Sequence, residues 1–332
     1  MSVQDEVFVE TRARLHFGVL DLRGDRGRWF GGIGAAAPGP TTQVSARAAG
    51  SLVVDGEDAD RAAEFAQRFL SHHGIREGAH VHVHHALPPH AGLGSGTQLA
   101  LAVAWALAEL HGITADVAQL ANAVGRGKRS AIGMWTFAGG GLVVEGGHRP
   151  GDRGMSAGPL LARLPFPASW RCVVAVPDAA SGLSGKDESA AFERLPAPRG
   201  GEVEHVAHLV LMSLLPAVVD GDIEAFGEAL TEIQETTGRW FAPVQGGTFA
   251  PGPGEALVRR MREWGAAGVG QSSWGPAVYG IVAGGAAGAR LADRVRAEYG
   301  AGCAVYEGPF AAHGARSWTA IAEAHANMDK LK

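Results

Sequence analysis

A glycine-rich segment lies directly before a long apolar stretch in the first third of the chain, and this junction restricts the possible folds more than any other feature. The segment is Pro88-Pro89-His90-Ala91-Gly92-Leu93-Gly94-Ser95-Gly96-Thr97-Gln98. Apolar residues then occupy nearly all faces of a helix, which predicts a buried helix from about Thr97 to Leu110. The glycines leave backbone N–H groups free and let phosphate oxygens approach without meeting a Cβ. The junction therefore predicts an anion site, and the alternative is a glycine-rich turn capped by Ser95 or Thr97.

Length and composition exclude several classes of protein. The 332 residues suggest two domains or one two-lobed unit, and a net charge of −5 argues against a protein that coats nucleic acid. Cys172 and Cys303 form no CxxC motif, which excludes a disulfide scaffold and a cysteine zinc ribbon. The N-terminus lacks a signal-peptide core, and the apolar stretch ending at Leu110 is too short to cross a bilayer. We therefore expect a soluble, cytoplasmic protein without nucleic-acid or membrane partners.

Strand and helix signals are interleaved along both halves of the chain. The patterns predict strands over 7–9, 51–54, 79–85, 139–145, 171–176, 277–282 and 303–306, and helices over 59–70, 97–110, 116–124, 202–219, 222–235, 255–264 and 290–298. This mixture predicts an α+β or α/β fold. The glycine- and proline-rich stretch Gly146–Pro167 is the candidate boundary between two lobes, residues 1–160 and 161–332.

A second glycine-rich segment lies in the other half of the chain. It is Gly268-Val269-Gly270-Gln271-Ser272-Ser273-Trp274-Gly275-Pro276, followed by an apolar strand. Two glycine-rich turns, one from each half, would meet across a cleft, and a tryptophan face in such a turn suits a flat aromatic ligand. The alternative is a β-hairpin with a tight turn.

A third segment places three cations within four residues, between glycines. It is Gly125-Arg126-Gly127-Lys128-Arg129-Ser130-Ala131-Ile132-Gly133. Guanidinium and ammonium groups at this spacing suit a diphosphate or another anionic ligand. The alternative is a solvated basic loop. Trp135, just beyond it, belongs either to the core or to an aromatic pocket.

Two further segments carry ionisable side chains. In the first, Arg14 and His16 share one face of a strand, which leaves Leu15 and Phe17 for the other face. The second is Ser181-Gly182-Leu183-Ser184-Gly185-Lys186-Asp187-Glu188, which is either a lid or a surface turn.

Histidines alternate along one predicted strand, at positions His80, His82 and His84. Imidazoles are good metal ligands, but this spacing is too wide for one ion unless the strand bends. The alternative is a strand edge that faces solvent.

Together these segments resemble a known superfamily. PPHAGLGSGTQLALA resembles the phosphate loop of the GHMP kinases, RARLHFGVLDL their N-terminal motif and GVGQSSWGPAVYGIV their C-terminal glycine motif, in the expected order. The resemblance implies their two-lobed α+β fold, with the ligand in a cleft between the lobes. Two departures argue against a kinase. Gly133 stands where the kinases carry the aspartate of phosphoryl transfer, and Gly96 replaces the second serine of the usual GLGSS loop.

A narrower resemblance accounts for both departures. The motifs ARLHFGVLDLRG, FGGIG, GLGSGTQLALA, GRGKRSAIG, GLSGKDE and GVGQSSWGP resemble those of the β-ribofuranosylaminobenzene 5′-phosphate synthases, which belong to the superfamily but are not kinases. The resemblance implies that 5-phosphoribosyl 1-diphosphate is joined to 4-aminobenzoate, with release of CO2 and diphosphate, on the route to methanopterin-type cofactors. It also implies Mg2+, and we expect a homodimer. The alternatives are 4-hydroxybenzoate as acceptor, an ATP-dependent small-molecule kinase, and a non-catalytic ligand sensor.

The motifs and the resemblance together give the candidate site. The candidate catalytic residues are Arg14 and His16, near the carboxylate of the aromatic substrate, and Lys186 and Asp187, which would close over the ribose 5-phosphate or organise magnesium. Asp21 is an alternative metal ligand. The candidate substrate-binding residues are His90, Gly92, Gly94, Ser95, Gly96, Thr97, Arg126, Lys128, Arg129, Ser130, Gln271, Ser272 and Ser273, with Trp135 and Trp274 to stack on the arene.

Overall fold

The structure, a computed structural model, describes residues 5–152, 157–179, 182–183 and 185–321. Its strands are β1 (Asp5–Asp21), β2 (Phe30–Ala49), β3 (Val53–Gly56), β4 (Gly78–His85), β5 (Leu142–Glu145), β6 (Leu160–Leu164), β7 (Trp170–Pro177), β8 (Gly268–Gln271), β9 (Val278–Ala283), β10 (Cys303–Pro309) and β11 (Arg316–Ile321). Its helices are α1 (Ala59–His73), α2 (Ser95–Leu110), α3 (Val117–Ala123), α4 (Ile132–Gly139), α5 (Gly185–Arg194), α6 (Gly200–Leu209), α7 (Leu215–Asp220), α8 (Ile223–Gln245), α9 (Pro253–Glu263) and α10 (Gly285–Tyr299). A π-helical turn, Val210–Leu214, joins α6 to α7.

Two β-sheets support the helices. The seven-stranded sheet has the order β11-β1-β2-β4-β3, and β5 and β6 extend it from β2. The four-stranded sheet has the order β10-β7-β9-β8. Strands β3 and β4 pair in parallel, whereas β1, β2 and β11 pair antiparallel. The predicted α+β fold is therefore confirmed.

The pairing of β1 with β2 shapes one wall of the space between the lobes. Two register irregularities interrupt it, one between Arg12 and Arg14 and one between His16 and Gly18. A bulge bends a strand and changes the direction of nearby side chains. Leu15, between the irregularities, is fully buried, so Arg14 and His16 point to the opposite face, as the alternation predicts.

Helix α2 lies in the core of the first lobe, as its apolar sequence predicts. Its buried residues include most of Leu99–Ala108, and they pack against β1, β2 and α1. Helix α1 buries Phe65 and Phe69 on one face, which confirms the predicted amphipathic helix. Burial of a large apolar side chain contributes about 1.5–3 kcal/mol. This packing fixes the position of the glycine-rich segment that leads into α2.

The two lobes share a hydrophobic core. Phe17 of β1 packs against Tyr279 of β9 with ring centroids 5.0 Å apart. Trp170 and Phe226, from β7 and α8, belong to the same cluster of buried residues. Strands β6 and β11 both pair in the seven-stranded sheet, so the chain leaves that sheet after residue 164 and returns to it at residue 316.

One helical segment of the described chain, Gly200–Asp220, is long and apolar enough to cross a membrane by length and composition alone. Its residues Val206, Leu209 and Leu214 pack into the core that the lobes share. The core helix of a soluble protein meets the same criteria, so one such segment is weak evidence for a membrane span. The cytoplasmic location stays a prediction.

Candidate active site

The two glycine-rich segments meet, as their sequences predict. The Ser272 hydroxyl donates to the Gly92 carbonyl over 2.6 Å, and the Ala277 amide donates to the Ala91 carbonyl over 3.1 Å. Gly92 has a φ of +78°, and a Cβ at this position would clash with the carbonyl oxygen of Ser272. Position 92 therefore needs glycine, both for its backbone conformation and for the close approach of the second segment.

The first glycine-rich segment ends at the N-terminus of α2. Gly94 precedes the helix with a φ of +77°, and its carbonyl accepts hydrogen bonds from the amides of Thr97 and Gln98. The amides of Ser95 and Gly96 occupy the first turn, where the helix dipole favours a negative charge. This is the local geometry that the predicted anion site requires; the site itself stays a prediction, and we call residues 92–97 the phosphate loop.

Gln98 connects the phosphate loop to the rest of the first lobe. Its side-chain amide donates to the Gly133 carbonyl over 2.9 Å, and its oxygen accepts from the Thr11 hydroxyl over 2.7 Å. Gln98 is fully buried, so both bonds are shielded from water. The sequence analysis missed this role, although a glutamine within an otherwise apolar helix is a signal of a buried hydrogen-bonded group.

An aromatic cleft with about 80 Å³ of accessible internal space and an open mouth lies beside the phosphate loop. Its aromatic lining consists of Phe30, Phe192, Phe241, Phe249 and Trp274. Trp274 meets Phe241 edge to face with ring centroids 4.8 Å apart. Trp274 was predicted but the phenylalanines were not, because they come from one strand, two helices and a loop, and no local motif joins them. The rings give the cleft an apolar lining on which a flat aromatic ligand would stack.

Arg14 lies at the junction of this cleft and the phosphate loop. Its Nη1 donates to the Gly92 carbonyl over 2.5 Å, and its backbone amide donates to the Leu93 carbonyl over 3.0 Å. A Cβ at position 94 would lie 2.7 Å from Cγ of Arg14, so this approach also depends on glycine. Burial lowers the pKa of Arg14 to about 10, and the nearby Glu188 opposes the shift. Arg14 remains a cation at neutral pH.

His16 lines the same cleft one pleat further along β1. Its backbone amide donates to the Ser272 hydroxyl over 2.9 Å. Burial lowers the pKa of His16 to about 3, and the positive charge of Arg14 adds to the shift. The cleft therefore contains a neutral imidazole beside a guanidinium cation at physiological pH.

Arg129 joins three elements at the mouth of the cleft. It forms an ion pair of 2.5 Å with Glu188 and donates to the Ser189 hydroxyl over 2.7 Å, both in α5. Glu188 in turn accepts from the indole N–H of Trp274 over 3.2 Å. The segment predicted as a lid or a surface turn spans residues 181–188, of which 181 and 184 lie outside the described residues. Residues 185–188 form the first turn of α5, whose Phe192 contacts Phe30 and Trp274. Sequence analysis missed Glu188 as a site residue, although it ends the motif GLSGKDE.

The other residues of the cationic segment face different surroundings. Ser130 lines the cleft, whereas Lys128 is exposed. Arg126 lies against Gly96 at the N-terminus of α2 and does not line the cleft. The side chains of Arg126, Lys128 and Arg129 thus lie in three different surroundings and do not form one basic patch.

Glu145 anchors the segment that follows these cations. Its carboxylate accepts from the Gly147 amide over 2.7 Å and from the Ala131 amide over 3.4 Å. The neighbouring His148 donates from Nε2 to the Arg129 carbonyl over 3.0 Å. Burial raises the pKa of Glu145 to about 7, and the two backbone hydrogen bonds oppose the shift.

Comparisons with known proteins agree with this geometry. Residues 60–140 match the family described as GHMP kinases N terminal domain, and residues 214–301 match GHMP kinases C terminal. The chain is 37% identical to beta-ribofuranosylphenol 5′-phosphate synthase of Methanothermobacter thermautotrophicus, over 83% of this chain and 88% of the relative. It is 36% identical to the enzyme of the same name from Archaeoglobus fulgidus, over 82% and 87%. This chain belongs to that synthase family.

Solved structures show that the fold of this synthase family member is also that of the GHMP kinases. Homoserine kinase from Cytophaga hutchinsonii superimposes with a TM-score of 0.68 and 17% identity, over 96% of this chain and 99% of that chain. Mevalonate kinase of L. major in complex with R-mevalonate gives a TM-score of 0.65 and 15% identity, over 91% and 96%. These likenesses confirm the predicted two-lobed GHMP fold.

Several predicted site residues lie outside the aromatic cleft. Trp135 donates from its indole N–H to the Gly158 carbonyl over 2.8 Å and packs, partly buried, against the core of the first lobe. The side chains of His90 and Asp187 are exposed, and the side chain of Lys186 lies outside the described residues. The Asp21 carboxylate accepts from the amides that follow it, at Arg23 and Gly24, and so caps a turn.

No group of three or more histidine, cysteine, aspartate or glutamate side chains in the described chain is arranged to hold a metal ion. His80 and His82 both bond to Asp55, at 3.0 Å and 2.5 Å, on the exposed face of β4. Strand β4 lies between β2 and β3, so this surface is a sheet face and the predicted strand edge is wrong. His80 and His82 are thus both hydrogen-bonded to the same carboxylate, that of Asp55.

Proposed function

We propose that this chain is a β-ribofuranosylaminobenzene 5′-phosphate synthase. It joins 5-phosphoribosyl 1-diphosphate to 4-aminobenzoate and releases CO2 and diphosphate, as a pentosyl transferase on the route to methanopterin-type cofactors and one-carbon metabolism. The observation that carries the proposal is the position of Arg14. One guanidinium contacts the phosphate loop through Gly92 and also lines the aromatic cleft. A sugar diphosphate and an arene bound in these two places would have their reacting carbons side by side.

The reaction needs two bonds to break and one to form. The ring carbon that carries the carboxylate attacks C1 of the ribose, and the C1–O bond breaks with its electron pair leaving on the diphosphate. Loss of CO2 then returns the electron pair of the C–C bond to the ring and restores aromaticity. The para amino group supplies electron density to the attacking carbon, so no strong base is needed. Gly133 in place of the kinase aspartate is compatible with this chemistry.

Arg14 and His16 have different roles in this scheme. The guanidinium of Arg14 stabilises negative charge, either on the diphosphate as it leaves or on the arene carboxylate before it is lost. The neutral imidazole of His16 orients the arene without adding a second cation. Binding the carboxylate to a single cation is favourable because a tighter grip would oppose its release as CO2.

The remaining groups serve the sugar diphosphate. The backbone amides of the phosphate loop would donate to phosphate oxygens. Arg129 would exchange its ion pair with Glu188 for a contact to the bound phosphate and so close over the ligand. We propose that Lys128 adds positive charge for the diphosphate, and that Lys186 and Asp187 close over the ribose 5-phosphate or organise Mg2+. A bound Mg2+ would neutralise negative charge on the leaving diphosphate, and Asp187 is the carboxylate that would help to hold it there. We also propose a homodimer in the cytoplasm.

A second acceptor, 4-hydroxybenzoate, is favoured by the name of the relatives, whose product is a ribofuranosylphenol phosphate. A hydroxyl group in the para position supplies electron density in the same way as an amino group. The two acceptors differ only in the para donor group, so the same cleft would accommodate either.

The experiment uses carboxyl-labelled 4-aminobenzoate and carboxyl-labelled 4-hydroxybenzoate in parallel. Each is incubated with the protein, Mg2+ and 5-phosphoribosyl 1-diphosphate, or with ATP in place of the sugar diphosphate. We expect labelled CO2 to be released only with the sugar diphosphate, and the faster acceptor identifies the substrate. ATP consumption would support a kinase instead, and ligand binding without release from either acceptor would support a sensor.

A further inference from the structure

Two arginines from different parts of the first lobe converge beside the phosphate loop. Arg61 is in α1, and Arg126 follows α3. The Nη2 atom of each lies 2.9 Å from the point where a Cβ of residue 96 would stand. Gly96 is the second residue of α2, so both guanidinium groups face the N-terminal turn of that helix. No sequence motif pointed to Arg61.

The Arg126 guanidinium is held in a setting that is unfavourable for a cation. It lies over the ring of Phe65 at 4.7 Å from the centroid, and its Nε is buried with no hydrogen-bond partner among the described residues. Burial lowers the pKa of Arg126 to about 10, and the positive charges of Arg61 and Arg68 add to the shift. A guanidinium normally acquires an anionic or polar partner when it is buried.

The surrounding carboxylates only partly balance these cations. Asp58 lies 2.9 Å from Nη1 of Arg61, and Glu64 lies 3.6 Å from Nη2 of Arg68 on the more exposed side of α1. Arg126 has no ion pair of its own in the described structure. Two guanidinium groups that face one space repel each other, and an anion between them removes that repulsion.

We propose that Arg61 and Arg126, together with the first-turn amides of α2, bind a dianionic phosphate group of the sugar substrate. The inference rests on the proposed function for the identity of the sugar, and on the arginine pair for the phosphate. A phosphate between the two guanidiniums accepts charge-assisted hydrogen bonds from both and from the helix N-terminus.

This phosphate position differs from the one next to Arg14. Arg14 contacts the loop at Gly92 and Gly94, at the end that borders the aromatic cleft. The pair contacts Gly96, at the other end. A phosphate bound at Gly96 is therefore the group that lies further from the reacting carbon. Two groups of the substrate have this chemistry, namely the 5-phosphate and the terminal phosphate of the diphosphate.

Glycine at position 96 leaves room for the ends of both arginine side chains at the first turn of α2. A serine at this position would place its Cβ in the space where the two guanidinium groups converge. The guanidiniums would have to move apart and away from the helix N-terminus. Gly96 thus gives the arginine pair access to the first-turn amides.

The test measures binding without turnover, by calorimetric titration of the full chain with ribose 5-phosphate and with inorganic diphosphate plus Mg2+. The variants are Arg61→Gln and Arg126→Gln, with Arg68→Gln as the matched control for loss of one nearby positive charge. Arg61→Lys keeps the charge without the planar fork, and thermal unfolding checks that each variant is folded.

We expect Arg61→Gln and Arg126→Gln to weaken the same one of the two ligands at least about tenfold, with Arg61→Lys in between. Arg68→Gln should stay within about twofold of the wild type. Selective loss of ribose 5-phosphate identifies the 5-phosphate, and selective loss of diphosphate identifies the terminal phosphate. Unchanged binding of both ligands to both variants overturns the inference.

These outcomes are independent of the release of labelled CO2. Release of CO2 with unchanged phosphate binding in the variants would leave the synthase reaction in place and reject the arginine pair. Weakened phosphate binding in a protein that releases no CO2 would retain the pair and reject the synthase reaction.

Discussion

The hydroxyl group of Ser272 donates a hydrogen bond to the Gly92 carbonyl over 2.6 Å, although the two residues lie 180 positions apart in the chain. The same oxygen accepts from the His16 amide over 2.9 Å. Ser272 is fully buried. One side chain therefore connects the phosphate loop, strand β1 and the C-terminal glycine segment, which are the three places where the proposed substrates would bind.

Replacing Ser272 with alanine should destabilise both the fold and the site. The His16 amide would lose its acceptor in a buried position, which costs about 1–3 kcal/mol of unfolding free energy. Denaturant unfolding measures this loss, and kcat/KM should fall with it because Arg14 and Gly92 would no longer be held in register. Ser273→Ala is the control, since Ser273 is the next residue in the chain and lines the aromatic cleft. Equal stability of the two variants would contradict the connecting role.

The fold was predictable where a local pattern carried the information. Helix α2 and strand β4 follow from continuous apolar residues and from alternation, and both are observed close to their predicted limits. The 20-residue strand β2 was not predicted, since its glycines, alanines and prolines match no strand pattern. Strand β11 was missed too, and its place in the sheet depends on long-range pairing with β1.

The parts of the site that depend on close backbone contacts were predictable, because glycine motifs mark where two backbone segments meet. The meeting of the two glycine segments follows from their composition, because only glycines allow so close an approach. Glu188 and Arg61 were not found, since each acts through a partner that is distant in sequence. The position of Trp135 after a cationic segment predicts a place beside the arene, whereas its indole N–H donates to the Gly158 carbonyl in the first lobe.

Trp274→Leu should weaken binding of the aromatic acceptor and leave the sugar diphosphate unaffected. The change removes the aromatic face and the donor to Glu188, and aromatic contacts of this kind are worth about 0.5–1.5 kcal/mol. We therefore expect the acceptor KM to rise about three- to tenfold. Trp135→Phe is the matched control and should change it by less than about twofold. Equal effects of the two variants in steady-state kinetics would remove Trp274 from the acceptor site.

Arg129→Ala and Lys128→Ala should have different kinetic effects, which distinguishes the roles of these two neighbouring cations. Arg129 reaches across the cleft mouth to α5, whereas Lys128 is exposed. Loss of a charge-assisted contact to the sugar diphosphate should raise its KM roughly ten- to hundredfold in Arg129→Ala. Lys128→Ala should raise it less than about threefold. The ion pair with Glu188 is partly exposed, so stability should fall by no more than about 1 kcal/mol. A larger kinetic effect at Lys128 would refute this assignment.

Glu145→Gln should change how stability depends on pH. The folded state raises the pKa of Glu145 to about 7, so it binds a proton that the unfolded chain has lost above its ordinary pKa of 4.5. This contribution to the free energy of unfolding is fully present below pH 4.5 and is lost as the pH rises through 7. The loss amounts to at most roughly 3 kcal/mol. Unfolding free energies of the wild type, relative to Glu145→Gln, should therefore decline between pH 5 and pH 8. Parallel curves for the two proteins would show that Glu145 is not perturbed.

Gly133→Asp tests whether the kinase carboxylate can return to this fold. A Cβ at position 133 would lie 3.2 Å from Cγ2 of Thr97 and 3.5 Å from Nε2 of Gln98, so an aspartate there would place its charge beside the phosphate loop. That charge repels a bound diphosphate, and we expect the sugar diphosphate KM to rise at least about tenfold. Gly133→Ala measures the steric part alone and should have the smaller effect. No ATP should be consumed by either variant, because the cleft beside the loop is lined by aromatic rings and already contains the Arg129–Glu188 pair. ATP-dependent phosphorylation by Gly133→Asp would show instead that the aspartate alone separates this family from the kinases.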